Sequence, residues 1–340
     1  MNVKNLYIEI TNQCNLNCNT CFNRSGYNKN RLELSCEDIQ KAIETFIPYG
    51  LERIMLSGGE PTLHSEFSQI LDLVDEYPDL TIGISTNGTV HNKKFVKHLN
   101  TKKNLTLQIS LDGSCEKQNS IVRGEGNFHK AIEFANMINS PALKPRLKMV
   151  VSQNNCEDII AFCNLALQLN FIPEFAFIHK SGNGSEKWEN KRLSAQQKLK
   201  ILQTLKAFNK QNNTDIFLPV CTDKCPYVTG DNVLSLKIKP DGSIQPCQLL
   251  DDTTYSLGNI NKYDKVYFAK RLNTIIELAC IRSKCDYGCT NCMVNKYCGK
   301  GCMAESIYLN NDPLDNDGNC EYRKLLFLNL TLKGLANIHE

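Results

Sequence analysis

No apolar run in the 340-residue chain approaches the roughly 18 residues of a membrane span, so no membrane partner is expected. Met1-Asn-Val-Lys-Asn5 leads into a strand-like run without the apolar stretch of a secretion signal. No repeat or low-complexity tract interrupts the chain. Neither sign of charge is in excess: 39 Lys and Arg stand against 36 Asp and Glu, a net +3. The basic residues lie in scattered pairs such as Lys93-Lys94 and Lys102-Lys103, with no stripe interleaved with aromatics, so no nucleic-acid partner is expected. What the chain has in abundance is cysteine, 17 residues. Without a secretion signal, tightly grouped cysteines read as metal ligands rather than disulfides. The expectation is a cytoplasmic, oxygen-sensitive, metal-binding protein.

The length suggests one large α/β domain with a smaller one, and apolar residues at 41% supply ample core. In the first half, strand-like runs over 6–11, 53–57, 80–85, 105–111, 147–151 and 174–178 alternate with helical runs. Ser35-Cys-Glu-Asp38 is a capping box, after which Ile39, Ala42, Ile43, Phe46 and Ile47 recur at helical spacing. Further helices are expected over 64–76, 128–138, 157–169 and 194–209. Six such units imply parallel strands with helices outside, in an open sheet or a partial barrel, with chemistry at the C-terminal strand ends. The notable motifs fall there. After about residue 213 helical periodicity fades and cysteines crowd together. Runs over 233–239 and 243–247, joined by Pro240-Asp-Gly242, read as a hairpin, and 266–279 as a helix. The rest reads as loop, which only metal would stabilise.

Cys14, Cys18 and Cys21 follow the first strand with spacing C-x3-C-x2-C. A cubane cluster takes four ligands, so three thiolates leave one iron open for a substrate or cofactor. A structural zinc site closes with four ligands, and no fourth residue is at hand. After the second strand, Gly58 and Gly59 let the backbone approach a ligand closely, and Pro61 fixes the turn after Glu60. Ser85, Asn87 and Ser110 are polar groups at strand ends, each also readable as a turn residue. Arg123 offers a planar guanidinium suited to a carboxylate. Asn154, after the fifth strand, reads equally well as a helix cap.

Taken in order, C-x3-C-x2-C, Gly58-Gly59-Glu60-Pro61, Ser85-Thr86-Asn87-Gly88 and Ser110-Leu-Asp-Gly113 make the first half resemble the radical S-adenosylmethionine (SAM) superfamily. One departure is Thr20, which stands where the family usually has an aromatic residue; Phe22 follows the third cysteine. The resemblance implies a [4Fe-4S] cluster on Cys14, Cys18 and Cys21 whose open iron chelates SAM. One electron then cleaves the sulfonium, and a 5′-deoxyadenosyl radical takes hydrogen from the substrate; the cofactor carries the hard chemistry. It further implies that Gly58, Gly59, Glu60 and Pro61 meet the SAM amino group, and Arg123 its carboxylate. Ser85, Asn87 and Ser110, with Asn154 as a weaker candidate, would bind the methionine moiety or ribose. Cys115, after the fourth strand, is a candidate hydrogen donor to a substrate radical.

In the second half, Cys289-x2-Cys292-x5-Cys298-x3-Cys302 and then Cys320 follow Gly242-x4-Cys247. This resembles the SPASM extension of radical SAM enzymes and implies two auxiliary [4Fe-4S] clusters, three in all. One would use Cys289, Cys292, Cys298 and Cys320. The other would use Cys247 and Cys302 with Cys221 and Cys225, for which Cys280 or Cys285 could substitute. Cys36, Cys156 and Cys163 default to small buried hydrophobes. The expected architecture is α/β: a partial (β/α)6 barrel over 1–212, a small, loop-rich, cysteine-ligated SPASM domain over 213–325, and a C-terminal helix or tail over 326–340.

Enzymes with this extension largely modify ribosomally made peptides. The leading expectation is therefore hydrogen abstraction from a precursor peptide and oxidative closure of a thioether or carbon–carbon crosslink, with flavodoxin or ferredoxin as reductant. Only 13 residues precede Cys14, so a leader is expected to be captured by a separate leader-binding protein or by the enzyme surface. Gln248 follows Cys247 where formylglycine-forming members carry an aspartate, which makes that reaction less expected. A small-molecule or cofactor-biosynthesis dehydrogenase, a peptide epimerase and a non-catalytic iron–sulfur carrier are the alternatives.

Overall fold

The computed structural model describes residues 2–140, 143–217, 225–229 and 233–336; Cys221 lies outside them. Nine strands form one sheet: β1 (Asn2–Thr11), β2 (Arg53–Gly58), β3 (Thr81–Thr86), β4 (Leu105–Ser110), β5 (Arg146–Val151), β6 (Ile172–Phe177), β7 (Val233–Ile238), β8 (Ser243–Gln245) and β9 (Gly258–Asn259). Their order is β6-β5-β4-β3-β2-β1-β7-β8-β9. The first six run parallel, and β7 pairs parallel with β1, Leu6 opposite Leu236 and Ile8 opposite Ile238. The C-terminal hairpin thus extends the sheet. It turns at Pro240-Asp-Gly242, where Gly242 takes φ +79° and the Asp241 carboxylate accepts from the Ser243 amide.

Helices cover one face of this open, partial barrel. The capping box forms as the residues require: Ser35 Oγ accepts from the Asp38 amide at 3.1 Å and Asp38 from the Ser35 amide at 3.0 Å, starting helix Cys36–Phe46. The expected helix over 64–76 is shorter, Phe67–Val74, because Pro61–Leu63 forms a tight 3-10 turn first. Helices Lys93–Thr101 and Glu116–Arg123 escape the apolar pattern because they are polar and anchor through few residues, Phe95 and Leu99 in one and Val122 in the other. The expectation that the loop-rich C-terminal segment holds one helix ahead of residue 326 is corrected. Its helix runs Lys265–Lys284, and Met303–Asn310 and Cys320–Ala336 are helical too; Tyr322 and Leu326 of the latter are buried.

Strand alternation decides what the two faces hold. Leu6, Ile8, Ile10, Ile54, Leu56, Ile82, Ile84, Leu107, Ile109, Leu147, Met149 and Phe175 are fully or almost fully buried in the core. Each such side chain contributes about 1.5–3 kcal/mol of burial. The opposite positions are polar and bond across strands. Tyr7 donates to Ser57 Oγ at 2.7 Å and Gln108 to Ser85 Oγ at 2.9 Å, while Glu174 pairs with Arg146 and Lys148, both at 3.0 Å. A parallel sheet packed on both sides reads as continuous apolar strands. This one has a polar inner face. Among the described residues no helix is long and apolar enough to cross a membrane.

Candidate active site

The cysteine loop leaves the end of β1 and is held from three sides. Cys14 Sγ accepts from the Leu16 amide at 3.4 Å and has Asn87 Nδ2 at 4.0 Å; Cys18 Sγ has an Arg123 guanidinium nitrogen at 4.0 Å. The Cys21 amide closes back on the Cys18 carbonyl at 3.2 Å. Burial pushes the Cys14 thiol up to about 12 and the Cys18 thiol up to about 11, the latter opposed by Arg123. Thiols so placed ionise only when a cation or metal replaces the proton. Donors aimed at the sulfurs and a loop already folded around three thiols fit a cluster ligated there.

The second-strand motif serves the loop directly. The amides of Gly59 and Glu60 donate to the carbonyls of Thr11 and Gln13, both at 2.7 Å. A Cβ on Gly59 would stand 2.1 Å from the Gln13 oxygen, so only glycine admits this contact. Gly59→Ala is expected to displace the cysteine loop and cost about four irons per chain with the fold retained, read by iron assay and circular dichroism.

Glu60, expected at the cofactor, spends its carboxylate within the chain. One oxygen accepts from the Thr62 amide (3.2 Å), Thr62 Oγ1 (2.6 Å) and Thr86 Oγ1 (2.7 Å), the other from the Asn87 amide (2.7 Å). Burial raises its pKa and these donors oppose the rise. The carboxylate thereby ties the end of β2 to the end of β3 and aims Asn87, whose Nδ2 also donates to Asn15 Oδ1 at 2.9 Å.

Arg123 ends one helix, four residues before the next begins at Asn127. Its Nε forms an ion pair with the fully buried Asp112 at 2.7 Å, which holds the guanidinium beside Cys18; Asp112 also accepts from the Val150 amide. Asp112 lies inside the Ser-Leu-Asp-Gly segment, so its position was legible although its role was not. Ser85 and Ser110 lie on the inner face, Ser85 bonded by Gln108. Asn154 is not a helix cap: helix Ile159–Gln168 begins after Asp158, and the Asn154 amide bonds Ser152 Oγ. Cys115 is exposed, its carbonyl accepting from the Asn119 amide.

The later thiols fall into two groups. Cys225 and Cys247 are close enough to Cys302 for their charges to raise its pKa, after burial and Glu305. Cys289 and Cys298 act likewise on Cys320, and the Cys292 amide bonds the Cys289 carbonyl at 3.0 Å. The buried Arg282 guanidinium, which sequence patterns did not reveal, donates to the carbonyls of Gly299, Lys300 and Gly301 between Cys298 and Cys302. His179, just past β6, bonds Glu305 at 2.7 Å and so joins the two halves.

A three-cysteine loop at the mouth of a parallel, polar-faced partial barrel, followed by grouped thiols, defines a class. Residues 8–150 match the radical SAM superfamily. Over 311 residues it is 26% identical to mycofactocin maturase MftC of Mycolicibacterium smegmatis, covering 88% of this chain and 78% of that protein. It is 27% identical over 292 residues to GTP 3′,8-cyclase of a Synechocystis species, covering 79% and 86%. Among solved structures, Streptococcus suis SuiB bound to SAM superposes with a TM-score of 0.75 at 19% identity, over 94% of this chain and 77% of that one. Native anSMEcpe with bound AdoMet does so at 0.76 and 19%, over 98% of each. At that identity the likeness is one of fold.

Proposed function

We propose that this chain modifies a ribosomally made precursor peptide, taking a hydrogen atom from it and closing an oxidative crosslink, thioether or carbon–carbon. The observation that carries this reading is the polar inner face running from β7 to β6 beneath the cysteine loop, which offers hydrogen bonds along an extended substrate. Similarity to a maturase over most of the chain supports it, as does the fold shared with SuiB, solved with its precursor peptide SuiA, and with anSMEcpe, solved with the Cp18Cys peptide.

Cys14, Cys18 and Cys21 would hold a [4Fe-4S] cluster, and bound there with SAM it supplies a 5′-deoxyadenosyl radical. Asn87 and Arg123 orient this ligand shell, with Glu60 and Asp112 fixing their directions. On the inner face, Glu174 with Arg146 and Lys148 presents charge to a peptide, and Tyr7 is bonded by both Ser57 and Gln248. Gln248 cannot act as the carboxylate base of a formylglycine maturase, and the exposed Cys115 is not enclosed as a hydrogen donor must be. Cys225, Cys247 and Cys302, with Cys221, and separately Cys289, Cys292, Cys298 and Cys320, would hold two auxiliary clusters that accept the electron left on the substrate. A flavodoxin or ferredoxin would supply the initiating electron, and a leader would be held by a separate protein or by the enzyme's own surface.

Anaerobic reconstitution is expected to give about twelve irons per chain and dithionite-dependent 5′-deoxyadenosine. Cys298→Ala is expected to retain that cleavage and lose the modified peptide by mass spectrometry; zinc in place of iron, or no SAM cleavage, would sink the reading. Similarity to a GTP cyclase favours a small-molecule substrate as the second reading. A short peptide gene beside this one, and a mass loss of two hydrogens in its product, would decide for the peptide.

A further inference from the structure

We propose that Lys191 sets the reduction potential of the cluster held by Cys14, Cys18 and Cys21, from a strap that also holds the cysteine loop; this rests on the radical SAM reading of that site. After β6 the chain turns back over the loop from Ser181 to Lys191. Gly182, at φ +51°, packs so closely that a Cβ would meet the Phe22 and Cys21 carbonyls at 2.3 and 2.4 Å. The Asn183 amide donates to the Cys21 carbonyl at 2.7 Å and its Nδ2 to the Cys18 carbonyl at 2.9 Å. Lys191 Nζ donates to the Asn19 carbonyl at 2.6 Å and to the Asn183 carbonyl at 2.7 Å. The carbonyls of residues 18, 19 and 21 therefore each receive a donor from one segment nearly 170 residues away. Asn183 and Lys191 are both buried.

The ammonium matters beyond its hydrogen bonds. The cation beside the Cys18 thiol, Arg123, is compensated by Asp112. Lys191 donates only to carbonyls and joins no ion pair among the described residues; Glu186, an acid that acts on it, is paired with Arg24. A positive charge hydrogen-bonded to the loop backbone at Asn19, on a buried side chain, stabilises whichever cluster state carries the extra electron. It thus raises the potential toward what a cellular reductant reaches.

The test is an anaerobic redox titration of the reconstituted full-length protein, following the electron-paramagnetic signal that changes on adding SAM. Lys191→Gln keeps a donor, on a side chain one bond shorter, and drops the charge. It is expected to fold and load iron as wild type does, while the reduced-to-oxidised ratio at fixed potential falls about tenfold, a midpoint about 59 mV more negative. Lys191→Arg is expected to keep the wild-type midpoint. An unchanged midpoint in folded, iron-replete Lys191→Gln overturns the proposal. If Lys191→Gln loses this cluster, Lys191→Arg decides: a loaded cluster at the wild-type midpoint supports the role of charge, and loss or a tenfold change there overturns it. A wild-type protein with no SAM-responsive signal overturns the radical SAM reading itself, independently of Lys191.

Discussion

Replacing Cys14, Cys18 and Cys21 together by alanine is expected to remove about four irons per chain and reduce 5′-deoxyadenosine to background, with the far-ultraviolet spectrum unchanged. The fold does not depend on these thiols. The loop backbone is held by the amides of Gly59, Glu60 and Asn183 and by Lys191, none of which touches a sulfur in doing so. The Cys14 and Cys18 thiols are raised by burial, to about 12 and about 11, so without metal these two are protonated passengers in a preformed loop. Their removal deletes ligands and leaves the scaffold. The later thiols should keep their iron, so the loss is confined to one cluster. Retained 5′-deoxyadenosine production in the triple variant would place the SAM chemistry elsewhere.

Asp317→Ala is expected to destabilise the C-terminal part by about 3–5 kcal/mol, the cost of leaving a buried charge without its partner. Asp317 is buried and takes Arg323 in a two-pronged pair at 2.7 and 2.6 Å, while also accepting from the amides of Cys302 (3.0 Å) and Asn319 (3.1 Å). Burial raises its pKa, but Arg323 and these amides outweigh that and hold it below the usual carboxylate range. Because the folded pKa is depressed, the contribution is present at neutral pH and is lost as pH falls through the folded value. The carboxylate sits between Cys302 and Cys320 in the chain and fixes the approach of both, so both auxiliary thiol groups should loosen. Urea melts and iron assay check this: a lower midpoint, and loss of up to about eight irons while the cysteine-triad cluster and SAM cleavage persist. Asp317→Asn keeps an acceptor and should fall between. An unchanged midpoint would mean that the pair contributes nothing net.

Much of the catalytic half was legible beforehand because its signals are local. Ser35 and Asp38 cap a helix through bonds three residues apart, and strands were recognisable as short apolar runs. The cysteine triad and Gly58-Gly59 are short-range patterns whose chemistry is specified by residue type. Two polar helices, Lys93–Thr101 and Glu116–Arg123, were missed because burial of two or three residues suffices once a sheet is there to receive them. Met303–Asn310, and the first turns of Cys320–Ala336 ahead of the helix or tail expected over 326–340, read as loop in the sequence because cysteine and glycine spacing dominates the pattern around them.

Residue types and spacings by themselves determined the class of chemistry: three thiols with a fourth position open, parallel strands whose ends carry the motifs, and a later cysteine group of fixed spacing. Only the tertiary structure decided which groups act on those thiols. It showed Glu60 as an internal tie between strand ends and Arg123 as a cation held by Asp112. It brought Gly182, Asn183 and Lys191 from beyond the sixth strand onto the cysteine loop, and Lys237 of β7 fully buried 3.1 Å from Asp251. Those contacts join residues tens to nearly two hundred positions apart, and each depends on the order and register of strands in the sheet. No spacing along the chain encodes that order; it follows from which apolar faces pack together.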